Sequence, residues 1–244
     1  MGVETNKPNP LQNLYNQKYN DEVAAPFELH PDAISTSRFD DVARLLSIEK
    51  GKLLDVGCGA GQFLLALADQ FSLLHGIDLS DTRIASARRC LADYPKYAAK
   101  ISFQTVDAEH RLPFDDKSFD VVLCCAVLEH VVNVFHVMDE ISRVCRKGGV
   151  TVITVPNVCY IKHVFGLIWG RVPLTGSPTR EISYWKEHGW DGAHLHYFSK
   201  SALTDLLSHY GFVPEEWSGD GYLAKIRRWN LNFVGNLTVR ARKI

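Results

Sequence analysis

The sequence has no long hydrophobic run and no marked excess of one charge. No stretch approaches the roughly 18 apolar residues of a membrane-spanning helix, so we expect no stable membrane insertion. The 244 residues carry a formal net charge of -1, which gives no electrostatic reason to expect nucleic acid as a partner. The first residues also lack the basic start and apolar segment of a secretion signal. We therefore expect a cytoplasmic protein.

Cysteines with metal-binding spacing are also missing. The chain has six cysteines, but none forms a C-x-x-C pair, and they fall inside predicted strands, helices and turns. Zinc sites and disulfide frameworks need closely patterned cysteines. The sequence therefore predicts free thiols in a reducing compartment and no bound metal.

The chain does contain a regular alternation of apolar runs and amphipathic stretches from residue 36 to about 156, which is typical of β-α units around a parallel sheet. Predicted strands begin at Lys52, Ser72, Ile101, Phe119 and Gly149, and FVPEEWS and NLTVRARK close the sheet. Predicted helices cover about Ser37 to Ser47, 61–70, a stretch after Ser80 or Asp81, Asn133 to Gly148, and Ser199 to about Tyr210. We expect a lid over residues 1–35 and an α/β domain over 36–244, with a substrate cap at about 157–198.

The most specific motif is LLDVGCGAGQF, residues 53–63. Glycines between a parallel strand and a helix predict unpaired backbone N–H groups and a helix N-terminus facing a ligand. The dinucleotide pattern G-x-G-x-x-G would need glycine where the chain has Gln62, and no G-K-S/T of a phosphate-binding loop follows. The spacing argues against a nicotinamide-dependent oxidoreductase, which stays an alternative.

Together with DAEHRLPFDDKSFDVVLCCAVLEHV, this motif resembles the class I S-adenosylmethionine-dependent methyltransferases. The resemblance covers about residues 36–156 and 199–243, and WDGAHLHYFS looks like the type 11 and 12 group, which includes ubiquinone-type members. It implies a doubly wound, seven-stranded, mostly parallel Rossmann-like sheet with a cap inserted after the fifth strand. It also implies S-adenosyl-L-methionine as cofactor, its methionine portion lined by Asp55, Gly57, Gly59, Gly61 and the backbone of Cys125 and Ala126.

Two further acidic residues end the next strands. Asp78 matches the family's ribose-binding acid, with Leu79 beside it as a wall for adenine. Asp107 and Ala108 match the position that meets the adenine amino group. A lone aspartate after a strand is more often a turn or helix cap. Three acids at successive strand ends favour one shared cofactor instead.

Methyl transfer from a cationic sulfur needs alignment more than acid catalysis. A hydroxyl acceptor must still lose its proton, and histidine is the usual base near neutral pH. The candidates are His130, His188, His194 and His196, each with an ordered structural histidine as the alternative. In LEHV, where some ubiquinone-type members carry E-x-x-E-H, the first glutamate is Ala126, so Glu129 and His130 are not expected to hold a cation.

The stretch after Pro156 is the most individual part of the chain. Its apolar helical face is expected to pack on its own domain, with contact to a membrane or a lipid-linked acceptor as alternatives. This face comprises Tyr160, Val164, Phe165, Leu167, Ile168 and Trp169. Upstream, Tyr15, Tyr19 and Arg38 are either part of a lid over the cofactor or ordinary surface residues.

These observations predict a methyltransferase that acts at oxygen on a small-molecule, glycan or lipid-precursor acceptor. Carbon and nitrogen acceptors stay open. A cofactor-binding regulatory or assembly subunit without activity is the non-enzymatic alternative. The sequence does not indicate an oligomeric state.

Overall fold

The computed structural model describes residues 12, 16, 28–30, 33, 36–221 and 223–244. At its centre lies a seven-stranded sheet of order β3-β2-β1-β4-β5-β7-β6. The strands are β1 (Lys52–Val56), β2 (Leu73–Asp78), β3 (Ile101–Thr105), β4 (Phe119–Cys125), β5 (Cys145–Pro156), β6 (Phe212–Ser218) and β7 (Asn236–Lys243). β1 to β5 run parallel, and β7 pairs antiparallel with β5 and β6. The predicted doubly wound, mostly parallel sheet is confirmed.

Helices cover both faces of the sheet. They are α1 (Arg38–Leu45), α2 (Gln62–Ala66), α3 (Asp81–Ala92), α4 (Val134–Val144), α5 (Ile161–Ile168), α6 (Ile182–His188), α7 (Lys200–His209) and α8 (Ala224–Arg227). Short 3-10 turns span Pro95–Tyr97, Trp190–Ala193 and Leu231–Phe233. Ser37, Ser80 and Ser199 cap α1, α3 and α7 by accepting a backbone N–H of the first turn.

Two apolar clusters make the core, one on each side of the sheet. The first joins α4 and α7 to the sheet through Val137, Met138 and Leu203. The second joins α1, α2 and α3 to it through Val42, Phe63 and Ile84. Each fully buried aliphatic side chain contributes about 1.5–3 kcal/mol. The central strands are therefore held from both sides, which is why they read as continuous apolar runs.

Two predicted boundaries are wrong. α4 ends at Val144 instead of reaching Gly148, because Cys145 already has extended backbone (φ -73, ψ 129) and pairs with Phe119 of β4. Gly148 therefore lies inside β5, with φ +73, and does not stop a helix. The predicted helix over 61–70 is also shorter, since α2 ends at Ala66.

The strand order reverses between β1 and β4, which places a crevice at the carboxyl ends of these two strands. Of the predicted lid, Tyr15 and Tyr19 lie outside the described residues. Asn16 is described, and its Oδ1 accepts a hydrogen bond of 2.7 Å from Ser80 at the start of α3. Within the described chain, every helix is too short or too polar to cross a membrane.

Candidate functional site

The loop between β1 and α2 needs its glycines for backbone conformation and for space. Gly57, Gly59 and Gly61 have φ of +79, +56 and +75, a region that side chains with a Cβ rarely adopt. A Cβ on Gly57 would lie 2.2 Å from Val127 Cγ2, and one on Gly61 would lie 2.4 Å from Phe103 Cζ. The loop can pass this close to its neighbours only without side chains.

Four N–H groups of the loop donate to acceptors within the protein, so these four are not the unpaired donors that the sequence predicted. Gly57 and Cys58 both donate to the Ile77 carbonyl, at 2.8 and 2.9 Å, and Gly61 donates to Cys58 O at 3.0 Å. Gly59 N donates to Asp78 Oδ2 at 2.8 Å, and Ser80 N donates to Asp78 Oδ1 at 2.9 Å. Each carboxylate oxygen has a second lone pair. Asp78 therefore anchors the loop and keeps acceptor capacity.

One cavity, which we call the outer cavity, brings the predicted strand-end residues together. Its wall includes Gly57, Asp78, Leu79, Asp107 and Ala108. The rest of the wall comprises Ile77, Arg83, Val106, Glu109, Ala126, Val127, His130 and Val131. Residues more than 50 positions apart in sequence therefore face one space with three carboxylates, of Asp78, Asp107 and Glu109, and several apolar side chains.

Other predicted cofactor residues lie behind this wall. Asp55 is buried at the end of β1, where burial and the nearby Asp78 charge raise its pKa to about 7. Burial likewise raises the pKa of the Cys125 thiol to about 12, so this group is not a reactive nucleophile. Neither these two residues nor Gly59 and Gly61 belong to the described lining of the outer cavity. Their cofactor contacts stay predictions.

A second, inner cavity adjoins the first and shares Ala126 and His130 with it. It is lined mainly by polar and titratable side chains. The described lining comprises Arg38, Ala126, Glu129, His130, Thr154, Val155, Pro156, Thr175, Gly176, His194 and Asn236. Side chains that can accept or donate a proton therefore lie next to the outer cavity.

A set of backbone contacts holds residues 193–196 against the turn after β4. Glu129 O accepts hydrogen bonds from Leu195 N at 2.7 Å and His196 N at 3.3 Å. The His130 Nδ1 lies 3.1 Å from Ala193 O, which can only accept, so Nδ1 carries the proton. These contacts bring the ring centroids of His130 and His194 within 4.7 Å.

Asp191 and Thr175 orient His194. The buried Asp191 carboxylate accepts from Thr175 Oγ1 at 3.0 Å and from Thr175 N at 2.9 Å. Since the threonine proton is used in this way, Thr175 Oγ1 accepts from His194 Nδ1, which lies 2.8 Å away. His194 therefore carries its proton on Nδ1, and Nε2 is the atom able to take another.

Glu129 completes the group of titratable residues in the inner cavity. Its residue is only 1% exposed, and its Oε2 has no hydrogen-bond partner among the residues that the structure describes. Burial raises the pKa of Glu129 to about 7, against the lowering effect of Arg38. One ligand atom each of Glu129, His130 and His194 lie within 4.8 Å of one another. His194 thus joins Glu129 and His130 as a third potential metal ligand, a grouping that was not recognised from the sequence. The absence of a bound metal stays a prediction.

The remaining candidate histidines have other contacts. His196 Nε2 lies 2.9 Å from the Val131 carbonyl, and His188 Nδ1 lies 3.0 Å from Tyr184 O. Neither residue belongs to the described lining of either cavity. The sequence offered His194 and His196 as equal candidates, whereas the structure gives them different surroundings. Asp191 was not predicted, although it lies only three residues before His194.

Comparison with known proteins decides the family. A sequence family described as a methyltransferase domain matches residues 54–153. The ubiquinone biosynthesis O-methyltransferase of Thiobacillus denitrificans is 36% identical over 194 residues, which are 79% of this chain and 78% of that protein. The chain belongs to the class I S-adenosylmethionine-dependent methyltransferases. The predicted family, enzyme class and cofactor are thereby confirmed.

Solved structures show how widely this methyltransferase shares its fold. Magnesium protoporphyrin IX methyltransferase from Synechocystis, with bound SAH, has a TM-score of 0.65 at 15% identity, covering 96% of this chain and 98% of its own. The cyclase SpnF has a TM-score of 0.61 at 21% identity, covering 96% and 92%. The same fold thus occurs in a protein described as a cyclase, so the acceptor chemistry has to be argued from the site.

The outer cavity of the methyltransferase fits its cofactor. S-adenosylmethionine has a ribose diol, a flat adenine and a charged amino-acid tail. Asp78 offers two acceptor oxygens for the diol, Leu79 and Val106 supply apolar walls, and Asp107 lies at the next strand end. Gly57 marks the side of the cavity next to the buried Asp55. The side chains of the cavity therefore suit the nucleoside part of this cofactor, and the individual contacts stay predictions.

Proposed function

We propose that this methyltransferase transfers the methyl group to a hydroxyl oxygen of a small-molecule or lipid-precursor acceptor bound in the inner cavity. One observation carries the proposal: Ala126 and His130 line both cavities, so the inner cavity meets the outer one where polar and titratable groups gather. The O-methyltransferase from Thiobacillus supports oxygen as the acceptor atom.

In this proposal His194 is the general base. S-adenosylmethionine, when bound, supplies a methyl group on a cationic sulfur. Thr175 and Asp191 hold the His194 Nδ1 proton, so Nε2 is oriented to take the hydroxyl proton. His130 takes the same tautomer through Ala193 O and provides a second acceptor nitrogen. Arg38 and Asn236 are the polar residues across the cavity that position the acceptor.

The test is methyl transfer from labelled S-adenosylmethionine to a panel of phenols, catechols and sugars. We expect His194→Asn to lower kcat by about 100- to 10,000-fold, the usual contribution of a positioned base. Binding of S-adenosylhomocysteine should stay unchanged, because His194 is outside the described lining of the outer cavity. His209→Asn, at the far end of α7, is the matched control. Full activity of His194→Asn would contradict the base assignment.

Two further results would redirect the proposal. Loss of activity in a chelator, restored by a divalent cation, would assign Glu129, His130 and His194 to a metal instead of to proton transfer. If the protein binds S-adenosylhomocysteine but methylates no acceptor, and His194→Asn leaves its cellular role intact, the non-enzymatic alternative would replace the proposal.

A further inference from the structure

Helix α5 is apolar and yet exposed. Within the described chain, none of its eight residues is buried, which corrects the expectation that this face packs on its own domain. Phe165 is 60% exposed, Ile168 70% and the following Trp169 80%. Val164, Leu167 and Val172 are exposed as well. Contiguous apolar side chains on a surface usually mark an interaction site.

The charges around this surface have one sign. Between Val158 and Arg180 the sequence carries Lys162, Arg171 and Arg180 and has no aspartate or glutamate; the first acidic residue is Glu181. All three basic residues are exposed. Lys162 and Arg171 line the same groove as Phe165 and Trp169. The cations therefore border the apolar side chains directly, and the partner that fits has an apolar interior and an anionic surface.

A lipid bilayer matches this surface better than a protein groove. In helical projection Leu167, Val164, Ile168, Phe165 and Trp169 spread over about half of the α5 circumference. A fluid apolar phase can surround so wide an arc, whereas a groove contacts a narrower stripe. Trp at the end of a short apolar helix and flanking Lys and Arg are the residue types that suit the membrane interface.

The exposed surface also leads toward the inner cavity. Its groove is lined by Leu174 and Ser177, and the residues between them, Thr175 and Gly176, line the inner cavity. The segment 174–177 therefore separates the exposed apolar surface from the proposed acceptor site. Asp191 fixes this segment by accepting from the N–H groups of Gly176 and Ser177, at 3.2 and 3.0 Å.

We propose that α5 and residues 169–172 dock this methyltransferase peripherally on an anionic lipid bilayer, beside the entrance for an amphiphilic acceptor. The docking part stands on exposure and charge alone. The statement about the acceptor rests on the proposed function.

The test is co-sedimentation of the full chain with vesicles of phosphatidylglycerol and phosphatidylcholine. Changing Phe165, Ile168 and Trp169 together to Ser should weaken partitioning by at least about 100-fold, since each buried apolar side chain contributes about tenfold or more. Lys162→Gln with Arg171→Gln should weaken it by about fivefold per charge at low salt, with a smaller difference at high salt. Trp229→Ser is the matched control, because Trp229 is 77% exposed and lines a different groove, which contains no residue of α5.

S-adenosylhomocysteine affinity, measured on every variant, should stay at the wild-type value, which separates a failure of docking from a failure of the fold or of the proposed function. Brominated lipids should quench wild-type tryptophan emission, and Trp169→Phe should lose most of that quenching. No binding of the wild type to anionic vesicles, or equal binding of the triple Ser variant, would overturn the proposal. Self-association of the wild type that the triple variant abolishes, without vesicle binding, would assign the surface to a second copy and overturn it too.

Discussion

The two cavities of the site differ in the kinds of side chain that line them. The outer cavity is formed by strand ends, with carboxylates and apolar walls that offer binding contacts. The inner cavity is lined by the turn after β4, the end of β5 and residues from the segments around Thr175 and His194, and it collects the titratable Glu129, His130 and His194. Under the proposed function, cofactor affinity depends mainly on the outer cavity and the rate of transfer mainly on the inner one. Substitutions should therefore change one quantity and leave the other.

The largest expected effect is on the outer cavity. Asp78→Ala should weaken S-adenosylhomocysteine binding about 1,000-fold, because two hydrogen bonds to a charged acceptor are each worth about 1.5–3 kcal/mol. The variant also loses the Gly59 N–H contact that anchors the loop. Isothermal titration measures the affinity, with Asp81→Ala as the exposed neighbouring control. An affinity within tenfold of wild type would refute the ribose role of Asp78.

The next effect tests the inner cavity without removing its base. Thr175→Val deletes the hydroxyl between Asp191 and His194 and should lower kcat about 100-fold, because Nδ1 loses the partner that fixes the tautomer. Thr175→Ser keeps the hydroxyl and should recover most of the rate. Cofactor affinity should be equal in both variants. Equal kcat values for Thr175→Ser and Thr175→Val would show that the hydrogen bonds from Asp191 through Thr175 to His194 do not contribute to catalysis.

A smaller effect concerns stability at the buried end of β1. The folded-state pKa of Asp55 is raised to about 7, so this carboxyl contributes stability that is present below its unfolded pKa and lost as the pH rises through about 7. The Asp55→Asn variant has no carboxyl at this position, so it does not lose this stability as the pH rises. Its free energy of unfolding relative to wild type should therefore rise by about 4 kcal/mol between about pH 4 and pH 8. Urea unfolding of the cofactor-free protein checks this, and a difference that does not change with pH would contradict it.

The smallest expected effect concerns stability. It compares a glycine of the loop after β1, where a Cβ would overlap a neighbour, with a glycine elsewhere that has a similar φ and open space around it. Gly211→Ala meets nothing within 4 Å and should cost only the left-handed backbone, about 1 kcal/mol. Gly57→Ala has a similar φ but overlaps Val127, so it should cost about 1–2 kcal/mol more. Val127→Ala should relieve much of that excess in the double variant. Equal thermal stability of the two Ala variants would show that the close approach of Gly57 to Val127 does not affect stability.

The outer cavity could be predicted from the sequence, but the inner cavity could not. Asp78 and Asp107 follow directly from strands, and parallel strands bring their carboxyl ends to one edge, so their shared cavity was predictable. His130 and His194 meet only through hydrogen bonds between residues 129–131 and 193–196, across more than 60 positions. No local pattern encodes that contact.

Helix α5 shows a second limit. Its apolar pattern was recognised, but a pattern gives no information about what covers a face, and in the structure Phe165 and Trp169 are exposed. The end of α4 was missed for a related reason. Pairing of Cys145 with Phe119 overrides the local helical preference of the segment that follows Val144.

The most direct test of the account is a crystal structure with S-adenosylhomocysteine bound. We expect the ribose hydroxyls on Asp78, the adenine between Leu79 and Asp107, and the sulfur facing Ala126 and His130, toward the inner cavity. A nucleoside bound away from Asp78, or a sulfur facing away from His130 and His194, would contradict the claim that the two cavities form one reaction site.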